Sequence, residues 1–288
     1  MPRQLIVLML VISSLFITSC ANTKKNQFDN LNEADLYQQA RSSMVDHKFS
    51  RAIEAYTALE TRFPFGQYAE QAQLETVSAH YQAYEYDEAV ASANRFIRLH
   101  PQHPDVDYAY YYKGLANFDA NRSIFDRFFE LDMSKRDPGA ARGAFDNFAE
   151  LVTKYPNSKY AADSRARMIY LRNILARNEV HVADYYLKRG AYAAAGNRGR
   201  YVVEHYQETS AVPDGLAIMV QSYRLMDMPE LANSSLEVLR KNYPDHISLD
   251  KNGNFKDSYT LQEAERVAAQ SGEPGYKLKK KDHKETVE

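Results

Sequence analysis

Two patterns of apolar positions divide this chain. The first is one run, Leu5 to Ile17, interrupted only by Ser13 and Ser14. The second starts near residue 33 and is periodic. Ala52 to Pro64, Ala89 to Pro101, Ala144 to Pro156 and Ala232 to Pro244 are each 12 residues apart, as are the small-residue pairs Ala40 to Ala52, Val77 to Ala89, Ala183 to Ala195 and Val220 to Ala232. Small residues at this spacing let two antiparallel helices cross closely. A proline then ends the second helix, because it has no N–H to give and its ring clashes with the carbonyl four residues back. Tyr and Phe supply the bulk between helices: Tyr56 after Ala52, Phe148 after Ala144, Tyr186 after Ala183 and Tyr223 after Val220. Tryptophan is absent.

This is the tetratricopeptide pattern. Its period is 37 between the first three units and 37 again between the last two. In the third unit Gly114 and Ala144 stand 30 apart instead of 12, an insertion of 18 residues near Ala120 to Asp137. Its apolar members, Ile124, Phe125, Phe128, Phe129 and Leu131, either fold back as a small helix or present an apolar contact. The step from Ala144 to Ala195 is 51 instead of 37, and the 14 extra residues amount to about four helical turns. Lys159 to Arg189 holds neither Pro nor Gly, which predicts one long first helix of at most 31 residues in the fourth unit. That unit also lacks the closing proline, Gln207 standing in its place. The expected fold is all-α, a tetratricopeptide-repeat solenoid of about five helical hairpins over residues 33–245. Residues 246–288 are expected to form a polar, partly disordered tail. Its Lys277, Lys279, Lys280, Lys281 and Lys284 are either solvated or set against anionic lipid head groups.

The N-terminal run follows Arg3 and is about 13 residues long, against roughly 20 for a bilayer span, so residues 1–19 read as an export signal. It ends Ile17-Thr18-Ser19-Cys20, which resembles a bacterial lipobox, and Cys20 is the sole cysteine of the chain. The resemblance implies that Cys20 is lipidated, that 20–32 is a lipidated linker, and that Ala21 directs the protein to the periplasmic face of the outer membrane. Removing the signal takes away one positive charge, leaving 35 Lys and Arg against 38 Asp and Glu, a formal charge of −3. Such a balance gives no basis for nucleic-acid binding.

Chemistry is sparse. No Gly-rich phosphate loop, HExxH, CxxC or nucleophile elbow occurs. His100 and His103 flank a turn without the carboxylates or thiols a metal would need, and His181 stands alone on a helix. No enzyme, metal or cofactor is expected. First-helix positions that face the concave side of such arrays are Tyr37, Arg41 and Met44; Leu74, Ser78, Tyr81 and Gln82; and Tyr108, Tyr111 and Phe118. They predict an aromatic groove with one cation, suited to an extended peptide. Tyr110 and Tyr112 serve packing equally well.

Further runs carry a family resemblance: RFPFGQYAEQAQ (Arg62 to Gln73), RFIRLHPQHPDVDYAYYYKGL (Arg95 to Leu115), KRDPGAARGAF (Lys135 to Phe145), KYPNSKYAADS (Lys154 to Ser164) and YYLKRGAYAAAGNR (Tyr185 to Arg198). They resemble the BamD family of outer-membrane protein assembly factors over roughly residues 15 to 245. The resemblance implies a non-catalytic lipoprotein of the β-barrel assembly machinery. Its implied partners are a POTRA domain of the barrel subunit BamA, other lipoproteins of the machinery, and unfolded barrel proteins whose C-terminal strand ends in an aromatic residue. It also implies Arg198, and secondarily Arg189, as BamA contacts. A periplasmic tetratricopeptide lipoprotein that serves peptidoglycan or cell division is the alternative.

Overall fold

The computed structural model describes residues 28, 30–120, 133–135 and 137–271. The expected signal segment, Cys20, most of the linker, most of the insertion and the lysine-rich end lie outside the described residues. Eleven α-helices are present among those described: α1 (Glu33–Val45), α2 (Phe49–Arg62), α3 (Ala69–Gln82), α4 (Tyr86–Leu99), α5 (Val106–Ala120), α6 (Gly139–Lys154), α7 (Ala161–Lys188), α8 (Tyr192–His205), α9 (Val212–Leu225), α10 (Pro229–Asn242) and α11 (Leu261–Ser271). Four of the expected hairpins pair α1 with α2, α5 with α6, α7 with α8 and α9 with α10, while α3 and α4 follow one another in the remaining place; α7, at 28 residues, is the long helix foreseen from the absence of Pro and Gly. The chain forms two compact units that divide inside α3, after Ala79.

Local rules set the boundaries. Asn32 caps α1 by accepting from Asp35 N at 2.9 Å, and Pro229 opens α10, where a missing N–H costs nothing. Four turns between successive helices hold one residue with positive φ, seven after the small residue of the first helix: His47 (56°), Tyr84 (62°), Gly190 (77°) and Asp227 (54°). Three of the four are not glycine. Their backbone conformation is imposed by helices that pack on both sides of the turn.

In the first unit α1, α2 and the start of α3 enclose Leu36, Ala40, Ala52, Ala55, Tyr56, Leu59 and Ala72. Ala40 and Ala52, the predicted crossing pair, are fully buried. In the second unit one apolar cluster joins Tyr81, Ala89, Leu115, Phe118, Ala144, Phe148 and Leu171. Another runs from Ala176 through Val202 and Leu216 to Leu239. Backbones approach closely where α8 meets α9: a Cβ on Gly199 would stand 2.6 Å from the carbonyl oxygen of Gly215.

The expectation of a polar tail after about residue 245 is corrected up to Ser271. Leu249, Phe255, Tyr259, Leu261 and Ala264 are buried in the same cluster as α7 to α10. The segment is pinned by a buried carboxylate, Asp214 on α9, which accepts from Arg177 of α7 and from the Tyr259 hydroxyl at 2.8 Å, with His246 Nε2 at 3.2 Å. Burial opposes ionisation there, yet the hydrogen bond from His246 and the charge of Arg177 outweigh it and hold the Asp214 carboxyl at about 2. Leu249, Phe255, Tyr259, Leu261 and Ala264 lie beyond the last periodic Ala–Pro pair, so the spacing gave no sign of them, although Arg177 and Asp214 themselves stand one 37-residue period apart.

Gly199→Ala is expected to destabilise by about 1–3 kcal/mol through overpacking at the α8–α9 crossing. Gly143→Ala, on α6 with nothing within 4 Å of the new Cβ, is expected to stabilise by about 0.5–1 kcal/mol. Thermal midpoints of the two variants should move in opposite directions. Because the folded-state pKa of Asp214 is depressed, its contribution is present above the ordinary carboxylate value and fades as pH falls through about 2. Denaturation midpoints of wild type and Asp214→Asn should therefore converge on acidification. A gap that stayed constant down to about pH 2 would refute the role of the charge.

Candidate peptide-binding surfaces

In the first unit the side chains meet at Glu75 on α3. Its carboxylate accepts from Tyr37 Oη of α1 at 2.8 Å, from Tyr56 Oη of α2, and from Gln71 Nε2 at 2.9 Å. Tyr68 lies flat on Tyr37, with ring centroids 4.7 Å apart. Burial first, and then Glu75, push the Tyr37 hydroxyl up to about 12; the Tyr56 hydroxyl is raised for the same reasons. Arg41 is exposed on α1 and lies in the field of Glu75, which raises its pKa with further help from Tyr37. Glu75 is thus an opposing charge in its surroundings. Met44 is half-buried against the apolar cluster, whereas Tyr37, Leu74 and Ser78 are buried, Ser78 Oγ donating to Glu75 O at 2.9 Å.

The second unit repeats the arrangement with other partners. Tyr81 Oη donates to Asp119 at 2.7 Å, and its ring meets Tyr112 edge-on at 5.4 Å. Tyr111 Oη donates to Asp163 at 2.9 Å, and Tyr160 lies flat on Tyr111 at 4.5 Å. Arg167 Nε donates to Asp163 at 2.6 Å while its guanidinium covers the Phe118 ring at 5.1 Å. Burial, chiefly, raises the pKa of both Tyr81 and Tyr111. Tyr81 and Phe118 are buried; Gln82, Tyr108 and Tyr111 keep partial exposure. Tyr108 packs 4.5 Å from Tyr112, and Tyr110 is buried with Lys154 Nζ donating to its hydroxyl at 2.9 Å.

Of the ten positions foreseen as a groove, five are therefore inside. A tyrosine in the middle of a first helix is covered by the hairpin that follows, and its hydroxyl then needs an acceptor. The acceptors Glu75, Asp119 and Asp163, and the stacking rings Tyr68 and Tyr160, were missed. A signal for some of them does exist: Tyr68 and Tyr160 each stand four residues after the helix-ending prolines Pro64 and Pro156, and each precedes an alanine.

Arg198, on α8, donates to Glu179 at 2.7 Å and leaves 45% of its side chain exposed. Arg189 is exposed, with its guanidinium 5.3 Å from the Tyr185 ring centre. His181 Nε2 lies 3.0 Å from Ser134 Oγ and 3.3 Å from Glu265, bracing the 3-10 turn Met133–Lys135 and α11. Among the described residues no group of three or more His, Cys, Asp or Glu could hold a metal, and no helix is long and apolar enough to cross a membrane.

Residues 29–239 match the family model of YfiO, described as an outer membrane lipoprotein. The chain belongs to that family. The outer membrane protein assembly factor BamD of Neisseria gonorrhoeae is 42% identical over 243 residues, 83% of this chain and 91% of the relative. The BamD of Neisseria meningitidis serogroup B is 46% identical over 209 residues, 73% and 78% of the two chains. That of Xylella fastidiosa strain 9a5c is 35% identical over 246 residues, 85% and 84%. The match to the YfiO model spans α1 to α10 except the end of α10.

Glu75→Ala leaves the buried Tyr37 and Tyr56 hydroxyls without their acceptor and is expected to cost about 1–3 kcal/mol. Added to Tyr56→Phe, the same change should cost measurably less, because one of the two orphaned hydroxyls is gone. Strict additivity in the double-mutant cycle would mean that the bonds carry no coupling.

Proposed function

We propose that this family member is a non-catalytic, lipid-anchored subunit of the outer-membrane β-barrel assembly machinery. On this reading it sits at the periplasmic face, scaffolds a BamA homologue through a POTRA domain, and receives unfolded barrel proteins. The observation that carries the reading is the match over 91% and 78% of the length of two relatives named outer membrane protein assembly factor BamD. Cys20 is the proposed anchor.

For the BamA-type partner we assign Arg198, with Arg189, nine residues earlier at the end of α7, as a second cation. Arg198 is well suited because its partly exposed guanidinium is held in one direction by Glu179, so less side-chain freedom is lost on docking. For substrate peptides we assign the open members of each unit separately: Arg41 and Met44 in the first; Gln82, Tyr108 and Tyr111 in the second. Tyr37, Leu74, Ser78, Tyr81 and Phe118 act beneath them as support. Arg41 would meet a terminal carboxylate only in competition with Glu75, which predicts a weak, salt-sensitive contact.

The first test is purification of the acylated full-length protein from gently solubilised envelopes, with Cys20→Ser as the unanchored control. Near-equal recovery of a BamA homologue is expected; wall or division proteins in its place would sink the reading. Arg198→Ala should lower the recovered partner about tenfold, a change of roughly 1.4 kcal/mol. Glu179→Gln, which keeps the cation, should retain most of it. In a fluorescence titration with a peptide ending in an aromatic residue, Tyr108→Ala should weaken binding. Unchanged affinity would remove Tyr108 from the surface.

A further inference from the structure

The turn that follows the second helix of a unit is built alike at each helix-ending proline. Gly66 N donates to Phe63 O at 3.0 Å, His103 N to His100 O at 3.1 Å, Ser158 N to Tyr155 O at 3.0 Å, and His246 N to Tyr243 O at 3.1 Å. The residue after the proline stands at the apex. In three of these turns it is polar: Gln102, Asn157 and Asp245. In the first it is Phe65, which is 100% exposed. A turn that forms three times with a polar apex does not need a phenylalanine, so the ring is not there for the fold.

The Phe65 turn is held firmly. Tyr68 N donates to Glu33 Oε1 at 2.7 Å, and that carboxylate occupies the space any side chain on Gly66 would take. Arg62 Nη1 donates to Phe28 O at 2.5 Å, and its guanidinium lies 5.1 Å from the Phe63 ring centre. The ring is therefore offered to its surroundings by a fixed backbone.

The same contact says what lies nearby. Phe28, 1% exposed, is where the described chain enters the first unit, and Arg62, three residues before Phe65, grips its carbonyl. Cys20 is eight residues upstream of Phe28, a stretch that spans at most about 29 Å when fully extended. An acyl anchor on Cys20 keeps this end of the unit close to the lipid surface. One anchoring point leaves a domain free to tumble about it, and a second apolar contact restrains it.

We propose that Phe65 is a lipid contact, an aromatic tip that enters the membrane interface beside the acylated cysteine and fixes how the first hairpin stands on the membrane. The proposal rests on the anchored reading of Cys20.

The absence of tryptophan makes it testable. Phe65→Trp gives the acylated full-length protein a single reporter, to be followed on vesicles of phosphatidylethanolamine and phosphatidylglycerol. Val45→Trp is the control: Val45 is 67% exposed at the far end of α1, about 18 Å from its start. Expected are a blue shift and quenching by lipids brominated on their acyl chains for Phe65→Trp alone, both lost when Cys20→Ser is added. The proposal is overturned if Phe65→Trp stays as accessible to iodide as Val45→Trp, or if it becomes shielded only when an aromatic-ended peptide or a partner protein is added. Intact mass separates the two levels. Acyl chains on Cys20 with an open Phe65→Trp defeat this proposal alone, whereas an unmodified Cys20 removes the anchor and the proposal together.

Discussion

The bond on which the packing of successive repeats depends is a tyrosine hydroxyl given to a carboxylate in the next first helix. Tyr37 gives to Glu75 and Tyr81 to Asp119, in each case 38 residues on, one more than the repeat period. Tyr111 gives to Asp163 across the insertion. The chain has no cysteine pair and no tryptophan, so neither a disulfide nor a large indole fixes one hairpin to the next. Tyrosine supplies both the apolar bulk that fills the gap and a directional bond that sets the register. A leucine would fill the space and leave the register to shape alone.

Two of these joints use the same sequence positions in different ways. Residues 4, 7 and 11 after the helix-ending proline are Tyr68, Gln71 and Glu75 in one case and Tyr160, Asp163 and Arg167 in the other. In the first, the carboxylate at position 11 receives the hydroxyl and the amide at position 7 supports it. In the second, the carboxylate moves to position 7, and the residue at position 11 becomes a cation that bonds to it and covers Phe118. The stacked tyrosine at position 4 is kept in both, at 4.7 and 4.5 Å with the planes 13° apart. The geometry is preserved while the charges change places. A search for one fixed residue type at one position would therefore overlook it.

This explains which parts of the molecule were legible. The spacing of Ala and Pro gave the hairpins, because helix crossing and helix ending depend on residues close in sequence and on steric exclusion. It also gave the length of α7, since only Pro or Gly would have interrupted it. It misassigned Tyr37, Leu74, Ser78, Tyr81 and Phe118 to an open face: position on a helix says which way a residue points, not whether the next hairpin covers it. Arg41 is exposed, but the opposing charge of Glu75 comes from another helix, which its own helix position does not reveal. The anchor at Cys20 rests on local sequence alone.

The ends of the array follow from the same physics. A stack of hairpins presents an unpaired apolar face at each terminus, and each unit here closes one with residues outside the repeat. In the first unit Phe28 inserts its ring beside α1 and α2, and Arg62 holds its carbonyl. In the second, Leu249, Phe255, Tyr259 and Leu261 cover the last hairpin, and Asp214 ties them to α7 through Arg177. Both closures combine apolar burial with a bond from an arginine, so the closing segment is fixed in direction as well as position. The period could not reveal them, because a segment that ends a repeat has no reason to obey it.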